Sequence, residues 1–132
     1  WTNIKDYTGK VTYPGIPISA EDFAAAPDSV KPHIEQYTKE TWNRDRIYNE
    51  MKDAIDVAAK YGLQLFCGEW GVYCPVDRSL AYAWTKDMLS VFDEFNVAWT
   101  TWCYDADFGF WDQDKHTFKD KPLAEMLGGK KK

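Results

Sequence analysis

The stretch Leu63-Gln64-Leu65-Phe66-Cys67-Gly68-Glu69-Trp70-Gly71 decides how the chain is read. Its first five residues form a short apolar run closed by glycine, the pattern of a buried parallel strand. Just past that run stands an acid between two glycines. In α/β folds the C-terminal edge of a parallel sheet is where ligands bind and catalytic side chains gather. Flanking glycines let the backbone turn sharply and keep the approach to the carboxylate open. Spacing alone also allows a plainer reading, in which Glu69 sits in an ordinary turn ahead of the next helix.

Working outward, the residues before this run read as a helix. Tyr48, Met51, Ile55 and Ala58 recur at spacings of three and four, with Asn43 or Asp45 to start the helix and Lys60 and Gly62 to end it. After the run, Asp77 caps a second helix whose inner face carries Leu80, Trp84, Met88, Val91, Phe92 and Phe95, with Asn96 as a stop. Residues 97–103 (VAWTTWC) make a second strand, rich in β-branched and aromatic side chains. A polar loop follows, then Asp120-Lys121-Pro122 opens a last short helix through Met126, with Pro122 at its first position and Gly128 beyond its end. Residues 130–132 read as a frayed tail. Residues 1–42 read as a long, turn-rich loop region, in which Ser19 caps one short helix over residues 21–26 that Pro27 ends.

Helix–strand–helix–strand–helix over residues 43–132 is the grammar of an α/β protein with a parallel sheet. Two parallel strands leave two open edges and cannot cover both faces, so the expected fold is part of a larger sheet or barrel. Composition agrees with a packed domain and excludes several functions. The 132 residues carry 21 acids against 16 bases, a net charge of −5, which argues against an electrostatic grip on nucleic acid or anionic lipid. Apolar runs stay short of the roughly 18 residues a membrane span requires. Seven Trp, eight Tyr and seven Phe are more aromatic residues than a core this small needs. A chain that opens on Trp1 also reads as the continuation of something longer.

The second chemical feature is Trp102 at the end of the later strand, followed by Tyr104, Asp105, Asp107, Phe108 and Trp111. If the two strands are parallel neighbours, Glu69 and Trp102 emerge on one rim. A carboxylate beside a flat indole suits a pyranose ring, whose C–H face stacks on the aromatic while the carboxylate acts at the anomeric carbon. Side chains alternate along a strand, so Trp99 and Trp102, three residues apart, face opposite sides, one under the helices and one toward the interior of the sheet or barrel.

Residues 61–71, Arg78 and Trp84 on the following helix, Ala98-Trp99-Thr100-Thr101-Trp102, and Phe108-Gly109-Phe110 together resemble the C-terminal part of glycoside hydrolase family five, the cellulase-like retaining β-glucanases built on a (β/α)8 barrel. The likeness runs over residues 45–127, and residues 1–17 resemble the loop after that family's sixth strand. It implies that Glu69 is the nucleophile and Trp102 the sugar platform, with Trp70, Tyr104, Asp105, Phe108 and Trp111 as further substrate contacts. By the same resemblance the substrate is a β-1,4-glucan, no cofactor takes part and the enzyme is secreted. The family's acid/base Glu and its His-x-Tyr pair match nothing here, so an N-terminal barrel fragment or companion chain is implied.

Other candidates read more plainly. His33 and His116 fall in irregular segments and read as surface residues. Glu40, Glu50, Glu94 and Glu125 fall on or beside helices and read as solvated. Cys67, Cys74 and Cys103 lack zinc-ligand spacing and read as ordinary thiols. Asp105 and Asp107 lack the loop pattern of a calcium site. The alternative function is a non-catalytic carbohydrate-binding or oligomerising partial barrel. Small sugar-binding modules are usually β-sandwiches, however, and no series of strands at 8–12-residue spacing is present.

Overall fold

A computed structural model describes Tyr7 and residues 9–128. Trp1 and residues 130–132 lie outside the described residues. In chain order the elements are α1 (Ala20–Ala25), α2 (Lys31–Ile34) running into a 3-10 turn (Glu35–Thr38), α3 (Arg44–Tyr61), β1 (Phe66–Cys67), α4 (Arg78–Glu94), β2 (Ala98–Trp99), β3 (Trp111–Asp112), β4 (Thr117–Phe118) and α5 (Lys121–Met126). The frame is the unit β1–α4–β2. Its strands pair in parallel, Phe66 opposite Ala98 and Cys67 opposite Trp99.

Local chemistry accounts for the long helices. At the start of α3 the Asn43 side chain accepts the Arg46 N–H at 2.9 Å. At its end Gly62 adopts φ 63, a left-handed conformation that glycine enters without a steric cost, and donates to the Ala58 and Ala59 carbonyls. Asp77 caps α4 by accepting the Ser79 N–H at 2.8 Å. Asn96, the expected stop, has φ 51. The helices lay their apolar faces together over β2 and the segment after β1. Ile47, Trp70, Met88, Val91, Phe92 and Val97 form the main core, flanked by Tyr48, Met51, Leu65, Cys67, Trp84, Phe95 and Trp99. Ile47, outside the expected apolar set, lies deeper than Tyr48 beside it.

Tyr7 and residues 9–42, in a region expected to be mostly irregular, instead have a core of their own. Ile18, Ala26, Val30 and Ile34 are buried together, with Tyr7, Phe23 and Tyr37 packed against them. Ser19 caps α1 as expected, accepting the Asp22 N–H at 3.0 Å. The missed helix α2 brings Val30 and Ile34, four residues apart, onto one face, with Pro32 in the first turn where its missing N–H costs nothing. Reciprocal bonds between Gly15 and Trp42 (2.9 and 2.7 Å) close residues 15–42 at their ends. The segment docks on the frame through the Tyr13 hydroxyl, which donates to Asp87 at 2.6 Å. Burial and that bond push the Tyr13 phenol pKa far above its usual value.

Other expectations change in detail. The strand expected over residues 63–67 is not buried on both faces. Leu63, beside the end of α3, is 62% exposed, and Phe66 is 63% exposed because among the described residues no third strand or layer covers the face opposite Leu65 and Cys67. Pro122 occupies the second rather than the first position of α5. The polar loop contains a hairpin, Trp111 opposite Phe118 and Asp112 opposite Thr117, held by an edge-to-face contact of the two rings at 5.1 Å. Among the described residues no helix is long and apolar enough to cross a membrane.

Phe92 is 1% exposed and lies in edge-on contact with Trp70. Phe92→Ala is expected to lower unfolding free energy by about 3–5 kcal/mol. Val57→Ala, at an exposed position of α3, should change it by less than about 0.5 kcal/mol. Urea unfolding followed by circular dichroism compares the two.

Candidate active site

Two backbone segments build the site, residues 68–77 after β1 and residues 100–110 after β2. The parallel ladder leads into them, with Ala98 N–H on the Leu65 carbonyl and Thr100 N–H on the Cys67 carbonyl, both at 3.0 Å. A regular ladder would place the next bond on the Glu69 carbonyl. Instead Trp102 N–H reaches the Trp70 carbonyl at 2.7 Å. One extra residue is thus accommodated on the first chain, as in a β-bulge. The Thr100 hydroxyl on the Gly68 carbonyl (2.7 Å) and the Thr101 hydroxyl on the Trp70 carbonyl (3.2 Å) hold the bulged segment from the side.

The bulge separates the fates of neighbouring side chains. Trp70 is driven into the core at 7% exposure, edge-on to Phe92 and to Trp99, and so lies away from the exposed rim on which the family resemblance would put it. Glu69 is left exposed. Trp102 is 53% exposed, while Trp99 packs under the helices, the opposite-face arrangement expected from strand alternation. The two glycines have different duties from those expected. Gly68 does not adopt a left-handed φ, and the critical position is Gly71, where an added Cβ would stand 2.0 Å from the Trp102 carbonyl oxygen. Only glycine allows the two rim segments to approach this closely.

The remaining predicted contacts divide. Tyr104 is exposed, stacks on half-buried Trp111 (centroids 6.0 Å, interplanar 26°) and meets Phe110 edge-on. Phe108 is half-buried against the Tyr73 ring at 5.4 Å. Tyr73, 38% exposed, is an aromatic rim residue absent from the sequence-based set. Asp105 differs from its expected role. It pairs with Lys119 and accepts the backbone N–H groups of Ala106 (2.7 Å) and Gln113 (3.3 Å), so its oxygens organise the loop. The Lys119 hydrogen bond, aided by the backbone donors, holds its pKa below the usual carboxylate range. The same contact raises the Lys119 ammonium pKa.

Beneath the rim lies a polar cluster. Asp120, buried at 7% exposure, accepts from Arg78 (3.1 Å), the Tyr82 hydroxyl (2.8 Å) and Leu123 N–H (3.0 Å), the last capping α5. Arg78 was visible in the motif pattern but its partners were not. Cys67, Cys74 and Cys103 are free, half-buried thiols, and burial raises the Cys74 pKa. His33 and His116 are exposed, though His33 stands in α2 rather than in irregular chain. Glu40, Glu50, Glu94 and Glu125 pair with arginines or lysines on helix surfaces. No group of three or more His, Cys, Asp or Glu converges among the described residues as a metal site would require.

A βαβ unit with an exposed carboxylate and indole at the C-terminal ends of its parallel strands defines a class, part of a parallel α/β sheet or barrel. Comparison with known proteins makes this more specific. Endoglucanase C of Acetivibrio thermocellus is 28% identical over 86 residues, 64% of this chain and 24% of that protein. A solved endoglucanase superposes with a TM-score of 0.61 at 27% identity, over 69% of this chain and 29% of its own. A hyperthermophilic endo-β-1,4-glucanase, solved in complex with substrate, gives 0.58 at 28% identity over 64% and 27%. No family model matches. The chain is endoglucanase-like in sequence and fold, in keeping with the family-five resemblance, and spans 24% of the length of the curated relatives it matches.

Two tests follow from this geometry. Gly71→Ala forces the rim segments apart and is expected to cost about 1–3 kcal/mol in urea unfolding, the cost of overpacking a fixed backbone contact. For the Asp105–Lys119 pair, the depressed carboxyl pKa means that its stabilisation is present above the ordinary Asp range. That stabilisation is lost as pH falls through the depressed value. At the alkaline end it is present below the ordinary Lys range and lost as pH rises through the raised lysine value. Carboxyl-carbon NMR titration of Asp105 should show the low midpoint, and Lys119→Ala should move it upward.

Proposed function

We propose that this chain is part of a retaining glycoside hydrolase that cleaves β-1,4-glucan chains by double displacement, and that it supplies the nucleophile. The observation that carries the reading is the exposed Glu69 and exposed Trp102 on one rim, set there by the bond from Trp102 N–H to the Trp70 carbonyl. Glu69, ionised, attacks the anomeric carbon of a sugar resting on the Trp102 ring. The leaving oxygen takes a proton from a second carboxyl about 5 Å away, which then activates water to release the glycosyl group. That second carboxyl belongs to a companion part of the barrel.

The open face of the sheet supports a companion part. Phe66, between the core-facing Leu65 and Cys67, is a large apolar side chain left in solvent on the face away from the helices. A complete barrel of about 250 residues would cover that face with its remaining strands. Tyr104, Trp111 and Phe108 extend the sugar-binding surface beyond Trp102, and hydrolysis of an insoluble polymer is work for a secreted enzyme.

A slow-turnover fluoroglycoside tests the assignment in the complete enzyme. The trapped adduct should map to the peptide holding Glu69, and Glu69→Gln should abolish trapping and lower kcat by at least about a thousandfold. An adduct on another carboxylate would refute the nucleophile assignment. The 132-residue chain alone should show no hydrolysis of soluble β-glucan.

A further inference from the structure

Arg78 makes an unusual set of contacts for the first residue of a helix. Its Nε donates to the Val76 carbonyl (3.0 Å), and one terminal nitrogen donates to the carbonyls of Tyr73 (3.0 Å), Cys74 (2.8 Å) and Val76 (2.7 Å). The other donates to buried Asp120 (3.1 Å). These groups are the backbone of the loop that follows Glu69 and the cap of α5. The loop is in turn stitched to the segment that follows Trp102. Cys74 N–H donates to the Asp107 carbonyl at 2.7 Å, and the Tyr73 ring rests against Phe108. One planar guanidinium thereby links both rim loops to a buried carboxylate, and only a rigid fork of donors reaches so many acceptors at once.

The contacts fall on a particular part of the rim. The Glu69–Trp102 junction is held locally, by the Trp102 N–H bond and the Gly71 approach, and none of those contacts involves Arg78. What Arg78 governs is the adjoining wall carrying Tyr73 and Phe108, whose ring stands 3.7 Å from where a Cβ on Gly71 would lie. We infer that the Arg78–Asp120 pair is a positioning device that holds this aromatic wall in register with the Trp102 platform. It thereby sets how tightly a saccharide resting on that platform is gripped, without touching the sugar. The inference rests on the hydrolase reading above. It adds a role for residues outside that reading's sugar-contacting set.

The test uses the complete enzyme with Arg78→Lys and, separately, Asp120→Asn. Lysine keeps the charge but offers a single point of donors, and asparagine removes the charge at nearly constant shape. Hydrogen exchange at the Cys74 amide should quicken by about tenfold or more in both variants. On cello-oligosaccharides KM should rise about tenfold while kcat falls less than about threefold, the pattern of lost binding that is shared by ground and transition states. Wild-type exchange in the variants overturns the inference whatever the enzyme's substrate proves to be. So does a loss of rate that merely follows the folded fraction measured by circular dichroism, or a variant that does not fold. A wild-type enzyme that leaves β-glucan intact instead refutes the hydrolase reading, while the exchange measurement still decides whether Arg78 holds the wall.

Discussion

The bond between Trp102 N–H and the Trp70 carbonyl sets the arrangement of the whole rim. Two parallel chains run in step for two ladder bonds and then slip by one residue. Because strand side chains alternate, a slip of one exchanges faces for everything beyond it. Trp70 turns inward and becomes the centre of an aromatic cluster with Trp84, Phe92 and Trp99. Glu69 turns outward. The core and the exposed rim are therefore two results of one backbone event, and neither can be altered without disturbing the other. Gly71 stands at the point of closest approach because the slip brings the Trp102 carbonyl to where a side chain would otherwise project.

The aromatic excess of the chain is resolved by this geometry into three populations. Trp70, Phe92 and Trp99 build the core beneath the strands. Tyr7, Phe23 and Tyr37 close the smaller core of Ile18, Ala26, Val30 and Ile34. Trp102, Tyr104, Tyr73 and Phe118 remain substantially exposed, with Trp111 and Phe108 as their half-buried supports. The charges follow a similar division. Glu35–Lys39, Lys52–Asp56 and Lys121–Glu125 are exposed pairs one helical turn apart, where solvent screening leaves each contribution small. The Arg78–Asp120 pair is different because its acid is buried and fully engaged by three donors.

Elements governed by local rules were legible in the sequence. Caps at Asn43, Asp77, Ser19 and Asp120 all accept a backbone N–H as their residue types dictate. The parallel pairing of the two strands followed from the helix between them. Features that depend on distant partners were not legible. Ala26, Val30 and Ile34 carry a helical spacing, but Pro27 and Pro32 masked it, and only the packing of Ile18 and Tyr37 gives that short helix a face to bury. In the site, the exposure of Glu69 and Trp102 just past their strands agrees with their spacing. The burial of Trp70 and the pairing of Asp105 were not legible, because a bulge reversed one side chain and a lysine fourteen residues away bonds the other. Tyr73 went unnoticed for the same reason, since its place on the rim is set by an arginine acting through backbone carbonyls.

The paired bonds between Gly15 and Trp42 bring the two ends of a segment side by side, and that segment buries its own apolar residues. Chain entering and leaving such a pinch point follows nearly the same path whatever lies between. The segment is thus joined to the rest of the chain at one fixed point, and changes of length in its exposed turns leave the β1–α4–β2 frame unmoved. Variation among related chains can accumulate there at little cost to folding, which makes the segment a natural place for selection, or an engineer, to reshape the protein's surface.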